Sequence, residues 1–138
     1  MATLYLSTAA INAAANAVVD LCDAGAGAAT LKIYSGSLPA DGDTTPAGTL
    51  LATVALADPA FGNADAGVSS ATDPDAVTIS ASGTAAVFII EDSDGNNVMT
   101  GDVTATGGGG TLELATVALS SGADLDITGF TYTHPDGT

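Results

Sequence analysis

Few residues in this chain could act as a nucleophile or a general base. The chain has one histidine, His134, and one cysteine, Cys22. Nucleophilic catalysis needs a base held within hydrogen-bond reach of the nucleophile. His134 begins the final segment 134–138, which we predict to be a tail and therefore a poor place to hold a base. Cys22 falls on the apolar face of a predicted helix, which favours a core position. We therefore predict no catalytic residue of this kind.

Carboxylates are the next candidates, because glycosidases use two of them across a sugar-binding cleft. Aspartates two residues apart occur as Asp41/Asp43, Asp73/Asp75 and Asp92/Asp94. Sugar clefts usually offer aromatic platforms as well, but this chain has no Trp, three Phe and three Tyr. We predict that the protein is not an enzyme and uses no cofactor.

The segment 92–97, DSDGNN, is similar to the start of a calcium-binding loop, because Ca²⁺ prefers several oxygen ligands that converge on a turn. It departs from the EF-hand pattern, since its glycine is the fourth residue and its twelfth residue is Val103 rather than Glu. A β-hairpin turn uses Asp, Asn and Gly for positive backbone angles and accounts for the same residues. The turn is our prediction, and a divalent-ion site on Asp92, Asp94 and Asn96 is the alternative.

The segments on either side of this turn form the centre of the predicted fold. The run 85–90 is the longest stretch of bulky apolar residues, which is typical of a strand covered on both faces. An extended pattern resumes over 98–104. The whole stretch 84–104 is therefore predicted to be a β-hairpin.

One good helix is predicted, over about 7–23, with Ser7 or Thr8 as its cap and Gly25 as its stop. Its predicted apolar face consists of Ile11, Ala14, Ala15, Val18, Leu21 and Cys22. Its polar residues lie mostly off that face and are Asn12, Asn16, Asp20 and Asp23.

The other predicted strands are 30–34, 50–56, 76–80, 112–119 and 125–133, the last with a bulge at Gly129. In the second of them, one face is predicted to carry Leu50, Ala52, Val54 and Leu56. Long loops are predicted at 35–48 and at 57–75, where Phe61 is the anchor. The four-glycine run 107–110 is predicted to be a flexible hairpin connection.

About seven strands follow one helix, and no helix alternates with them. This order predicts a mostly β domain, an antiparallel β-sandwich or jelly-roll-like fold. We divide the single domain 1–138 into an N-terminal arm and helix (1–24), a β-sandwich (29–133) and a tail (134–138). The hexapeptide LATVAL occurs at 51–56 and again at 114–119, through coincidence or through a decayed duplication.

The charge is the most unusual property of the chain. Sixteen acidic residues face one basic residue, Lys32, and the formal net charge is −15. Such a chain cannot neutralise phosphates, so we predict no nucleic-acid partner. It is repelled by anionic membranes, and we identify neither a secretory signal nor a membrane span. The acidity serves either solubility, including adaptation to salty surroundings, or docking on a basic protein surface.

Several phrases of the sequence are distinctive: IYSGSLPA at 33–40, LATVALADPAFG at 51–62, FIIEDSDGNNVMTGDV at 88–103 and GADLDITGFTYT at 122–133. In this order they resemble small acidic proteins encoded in the structural-gene regions of tailed bacteriophages and prophages. The resemblance covers most of 6–133 and transfers no functional residues. It implies a structural protein of the virion.

Within that class, the short length and the scarcity of aromatic residues favour a capsid decoration (cement) protein over a tail or fibre component. The implied partners are the major capsid protein and further copies of the chain, in decoration proteins often as a trimer. The implied location is the capsid surface, after synthesis in the host cytoplasm. We expect the contacts to come from the N-terminal arm or helix and from loops 35–48 and 57–75. Outside that class, the alternative is a glycan-binding or adhesin-like β-sandwich module.

Overall fold

The computed structural model describes residues 3–72 and 77–134. These residues form one α-helix, α1 (Thr8–Asp20), which continues into a 3₁₀ turn (Leu21–Asp23), and nine strands. The strands are β1 (Thr30–Tyr34), β2 (Leu50–Ala55), β3 (Val68–Ser70), β4 (Gly83–Thr84), β5 (Val87–Glu91), β6 (Asn97–Ala105), β7 (Leu112–Leu114), β8 (Ala118–Leu119) and β9 (Ile127–Thr133). The predicted mostly β fold with one N-terminal helix is confirmed.

Seven strands form one sheet in the order β2-β1-β5-β6-β7-β9-β3, and β4 pairs with β8 in a small second sheet. Every pair is antiparallel except β6 and β7, which run parallel. The sheet is therefore mixed, and its strand order does not establish a jelly roll.

The parallel pair arises from the glycine-rich segment between β6 and β7. Gly107 and Gly109 have backbone φ angles of 85° and 82°, which favour glycine, and the chain doubles back so that Leu112 lies beside Val103. The predicted hairpin connection at 107–110 is therefore wrong, because a hairpin would have placed β7 antiparallel to β6.

The predicted central hairpin is confirmed. β5 lies between β1 and β6, and the four residues Val87–Ile90 are all buried. Alternation along β5 sends Phe88 and Ile90 to one face and Val87 and Ile89 to the other. Both faces of this strand are therefore covered, as its continuous apolar run predicts.

Three phenylalanines show that the large sheet curls. The ring of Phe130 on β9 lies 5.2 Å from that of Phe88 on β5 and 5.2 Å from that of Phe61, both in edge-to-face geometry. Neighbouring strands are about 4.8 Å apart. A flat sheet would thus separate β5 from β9 by about 14 Å. The sheet must bend around this aromatic cluster, and Phe61 anchors its loop there as predicted.

Each edge strand of the large sheet accepts backbone hydrogen bonds from a neighbouring segment of the chain at one carbonyl. The backbone N–H groups of Ser80 and Ala81 donate to the carbonyl of Leu51 on β2, at 2.8 and 3.2 Å. At the other edge, the N–H of Gly62 donates to the carbonyl of Ser70 on β3, at 2.9 Å. These bonds occupy part of each edge, where an unpaired strand could otherwise pair with another chain.

Several predicted boundaries need correction. β3 lies inside the segment predicted as the loop 57–75. The predicted strand 112–119 is divided into β7 and β8. The predicted strand 76–80 falls partly outside the described residues, and 77–80 contributes only an isolated bridge between Thr78 and Asp124.

Two predicted apolar faces also need correction. A register shift opposite Ile33 and Tyr34 leaves Leu51 as an extra residue in β2, so Leu51 is buried and Leu50 is 37% exposed. In the helix, Leu21 is 55% exposed, whereas Ala15, Val19 and Cys22 are buried. The predicted bulge in β9 is confirmed, since Thr128 is the extra residue beside Gly129.

Candidate functional site

The turn between β5 and β6 is organised by one carboxylate. Oδ1 of Asp92 accepts hydrogen bonds from the backbone N–H groups of Asp94 and Asn96, at 3.0 and 2.9 Å. Oδ2 accepts one from Nδ2 of Asn96 at 3.0 Å. These bonds, above all the one from the Asn96 side chain, lower the pKa of Asp92. The arrangement is an Asp-centred turn whose carboxylate is already occupied by donors.

The same geometry bears on the alternative calcium site. Among residues 3–72 and 77–134, no group of three or more His, Cys, Asp or Glu side chains is placed to hold a metal ion. The candidates Asp92 and Asn96 face each other as acceptor and donor rather than converging on a common point. Asp73 and Asp75 lie outside the described residues. Calorimetric titration with Ca²⁺, against Asp92→Asn with Asp94→Asn, tests the alternative, and no heat in the parent protein would exclude it.

The lowered pKa of Asp92 predicts a pH-dependent contribution to stability. A carboxylate whose pKa is lower in the folded state stabilises the fold above its ordinary pKa of 3.8, and this contribution is lost as the pH falls through the folded value. We expect Asp92→Asn to be less stable than the parent at pH 7 and to approach it in acid below pH 3.8. Urea unfolding at several pH values measures the difference.

Asp94→Asn is the matched control for that measurement, since the Asp94 carboxylate accepts no hydrogen bond from a described residue. Its stability should follow that of the parent at every pH. A constant gap between Asp92→Asn and the parent across the acid range would contradict the expected linkage.

Cys22 is a core residue, as predicted. Its side chain is fully buried, and this burial, with Asp23 next to it, raises the pKa of the thiol to about 12. The thiolate is the reactive form of cysteine. We expect no reaction with a disulfide reagent such as Ellman's at pH 8 in the folded protein and one full equivalent in denaturant. Rapid labelling of the folded protein would place Cys22 at the surface.

His134 is held in place more firmly than its predicted position in a tail implies. Its Nδ1 lies 2.9 Å from the Tyr132 hydroxyl, and its backbone N–H donates to the carbonyl of Gly67 at 2.9 Å. Residues 135–138 lie outside the described part of the chain. The hydrogen bonds found here join His134 to a phenol and a backbone carbonyl, so this geometry does not form a Cys–His or Ser–His pair.

Polar residues of α1 and of the 3₁₀ turn that follows it hold one of the two long loops. Backbone N–H groups of the loop donate to three helix side chains: Gly67 to Asn12 at 2.8 Å, Ala64 to Asn16 at 2.7 Å and Ala60 to Asp23 at 2.8 Å. We call these three side chains the helix clamp. Their positions in the sequence predict that they lie mostly off the apolar face, which gives no indication of this role. The spacing of the two asparagines by one helical turn is the only signal that would have indicated it.

The other long loop, 35–48, is also held by hydrogen bonds. Oδ1 of Asp41 accepts from the Thr44 hydroxyl at 2.7 Å and from two backbone N–H groups, which lowers the pKa of Asp41. Nδ2 of Asn97 on β6 donates to the carbonyl of Asp43 at 2.9 Å and so ties the loop to the central hairpin. Both long loops therefore present defined surfaces.

The single lysine does not offset the acidic surface. Nζ of Lys32 lies 2.7 Å from Oε2 of Glu91 on the neighbouring strand, and this bond raises the pKa of Lys32. One acid is thereby paired, and the exposed aspartates of α1 and the two long loops face no lysine or arginine of this chain. They are Asp20, Asp41, Asp43, Asp58 and Asp65.

Two uncharged features complete the candidate surfaces. A cavity of about 410 Å³ opens between β6, the glycine-rich segment and β9. Its lining includes Phe88, Met99, Gly101 and Tyr132, together with three threonines contributed by the glycine-rich segment and β9. The second feature is the N-terminal arm, where Leu4, Tyr5 and Leu6 are exposed.

Comparison with protein-family models, with curated proteins and with solved structures gave no match to this chain. In the described part of the chain, α1 is too short to cross a membrane as an apolar helix. The family resemblance drawn from the sequence therefore stays a hypothesis.

Proposed function

We propose that this protein is a non-enzymatic structural protein of a phage virion, and that it decorates the capsid by binding the major capsid protein. The observation that carries the proposal is the charge: −15 on 138 residues, with the only lysine already paired to Glu91. A negatively charged surface attracts a positively charged surface and repels another negatively charged one. A basic protein lattice is the kind of partner that fits, and the resemblance to phage structural proteins supplies the class.

The two long loops are the part of the surface best suited to that contact. They carry four of the exposed aspartates, at 41, 43, 58 and 65. The helix clamp and the Asp41 turn fix both loops before any partner arrives. Preorganised loops lose little conformational entropy on binding, which favours affinity. Charge and rigidity thus occur together at 35–48 and 57–72.

Binding to purified, expanded heads that lack decoration tests the proposal. We expect saturable binding that weakens as salt is raised, because salt screens exposed charges. In virions, mass spectrometry should find the protein in heads at capsid stoichiometry. Absence from virions together with no binding to heads would refute the proposal, and recovery in purified tails would support a tail component instead.

A pair of charge variants locates the contact. Asp43, Asp58 and Asp65 have exposed carboxylates that accept no side-chain hydrogen bond from a described residue, so changing them to Asn should leave the fold intact. The matched control changes Asp94, Asp124 and Asp126 to Asn, with the same change in net charge. We expect the loop variant to bind heads at least tenfold more weakly than the control. Equal binding would show that only net charge matters.

A glycan-binding module is the second candidate, and the uncharged cavity favours it. Neutral sugars suit a site with threonine hydroxyls and aromatic rings better than they suit a charged surface. A glycan-binding screen with the parent chain tests this function. If the chain bound a defined glycan and did not bind capsids, the result would support a glycan-binding module over a decoration protein.

A further inference from the structure

The N-terminal arm exposes three large apolar side chains that the described part of the chain leaves uncovered. Leu4 and Tyr5 are 65% and 71% exposed, and Leu6 is 37% exposed. No hydrogen bond joins Thr3–Leu6 to another described residue. Three adjacent large apolar side chains in water are an unfavourable arrangement that association relieves.

The cavity beside β9 has the chemistry and the size to accept such apolar side chains. None of its lining residues carries a charge, and its apolar part includes Phe88, Met99 and Tyr132. Its volume is about 410 Å³. An engineered cavity left by one leucine in a protein core measures about 150 Å³. The cavity therefore has room for more than one large side chain.

The first turns of α1, from which the arm extends, pack near the C-terminal end of β9, whose residues Thr131–Thr133 line this cavity. A Cβ atom on Gly67 would lie 2.5 Å from Cγ2 of Ile11 in the first turns of α1 and 3.7 Å from the carbonyl oxygen of His134. His134 directly follows Thr133, which lines the cavity. Three extended residues, from Ser7 back to Leu4, span about 10 Å. The arm thus extends from a helix that packs near the strand bordering the cavity, and none of the arm residues lines the cavity of its own chain.

We propose that the arm of one chain inserts Leu4 and Tyr5 into the cavity of a second copy. Since in each chain the arm extends from the helix that packs near the cavity-lining strand β9, two copies that meet at their cavity mouths can exchange arms reciprocally. Such an exchange is a closed, self-complementary contact.

The distribution of charge favours a second copy as the occupant. Copies that each carry −15 repel one another over most of their surface. The segment 3–19 and the cavity lining are both free of charged residues, so contact through them brings together the least repulsive surfaces. The charged partner proposed above would instead meet the acidic loops. This inference does not rest on the capsid proposal.

Sedimentation equilibrium of the full chain tests the exchange, at about 1 to 100 µM chain, a range in which associations of micromolar Kd are seen. The arm variant changes Leu4, Tyr5 and Leu6 to Ser, and the cavity variant is Thr133→Trp at the exposed mouth. The matched control is Leu38→Ser, which removes an apolar side chain that is 54% exposed elsewhere. Circular dichroism verifies that each variant is folded.

We expect the parent and Leu38→Ser to associate alike, and the arm and cavity variants each to associate at least tenfold more weakly. Mixing these two variants should restore part of the association, because one then supplies an open cavity and the other an intact arm. A monomeric parent, an arm variant that associates like the parent, or a mixture that stays monomeric would overturn the proposal. None of these sedimentation measurements involves capsids. A failure of the arm-exchange proposal is therefore distinct from a failure of the protein to bind heads.

Discussion

Phe88→Ala should lower the free energy of unfolding by about 3–5 kcal/mol, the range for truncating a buried phenylalanine. Phe88 is 1% exposed at the centre of β5, and its ring packs edge-to-face on Phe130 at 5.2 Å. The substitution removes the ring from the inner face of the curled sheet and leaves a cavity that the neighbouring strands cannot easily close. Urea denaturation measures the loss, which should appear as a lower midpoint with an unchanged slope.

Gly101 provides a sharper test of the same packing. It lies directly opposite Phe88 in the β5–β6 register, and a Cβ atom on it would be 2.6 Å from Cε1 of that ring. Gly101→Ala should therefore destabilise the parent by about 1–3 kcal/mol through overpacking. In the Phe88→Ala background the same change should be neutral or stabilising. The double-mutant cycle isolates this coupling.

Leu38→Ala is the control, because Leu38 is 54% exposed and its truncation should change stability by no more than about 0.5 kcal/mol. If Phe88→Ala unfolded at the parent's urea midpoint, the ring would not be in the core. Additive effects of the two substitutions would show that Gly101 and Phe88 are not in contact.

The centre of the fold was predictable because local pattern and tertiary packing agree there. An unbroken apolar run, a turn rich in Asp, Gly and Asn, and a resumed extended segment have one consistent arrangement, the β5–β6 hairpin. The helix boundaries followed from the Ser7 cap, whose hydroxyl accepts from the N–H of Ala10 at 3.2 Å, and from the positive φ of Gly25. Each of these signals lies within a few residues of the feature that it determines.

The repeated hexapeptide shows where such local signals fail. At 51–56 LATVAL lies largely in β2 and pairs with β1, but at 114–119 the same residues span the break between β7 and β8. In the second copy the Thr116 hydroxyl accepts from the N–H of Ala118 at 3.2 Å, a local side-chain bond within the segment between the two strands. The neighbouring strands, rather than the hexapeptide, select between these two structures.

The candidate functional surfaces also include some that the sequence predicts and some that it does not. Composition alone indicated an acidic surface and a chain with little catalytic chemistry. The cavity could not be predicted, because its walls come from four segments, in β5, β6, the glycine-rich segment and β9, that meet only when the sheet folds. The helix clamp was missed for a related reason, since amphipathic analysis assigns polar helix residues to solvent and cannot identify a backbone N–H of a distant loop as their partner.

Removing the helix clamp should therefore release the loop that it holds. Changing Asn12, Asn16 and Asp23 to Ala leaves three loop N–H groups without their acceptors, including that of the fully buried Ala60. Each buried donor left unsatisfied costs about 1–3 kcal/mol. Because all three bonds hold one loop, their effects should be less than additive. We expect the triple variant to lose about 3–5 kcal/mol, on the basis of these unsatisfied donors.

A local measurement separates this effect from general destabilisation. Hydrogen exchange at Ala60, Ala64 and Gly67 should accelerate in the triple variant before the amides of β5 do. Asp20→Ala is the control on the same helix, since Asp20 is exposed and accepts no side-chain hydrogen bond from a described residue. Asp23→Asn keeps an acceptor oxygen and should retain most of the stability that Asp23→Ala loses. If these loop amides stayed protected from exchange in the triple variant, the clamp would be contradicted. If they exchanged faster and the variant also bound heads more weakly, the helix clamp would be shown to position the acidic loop for its partner.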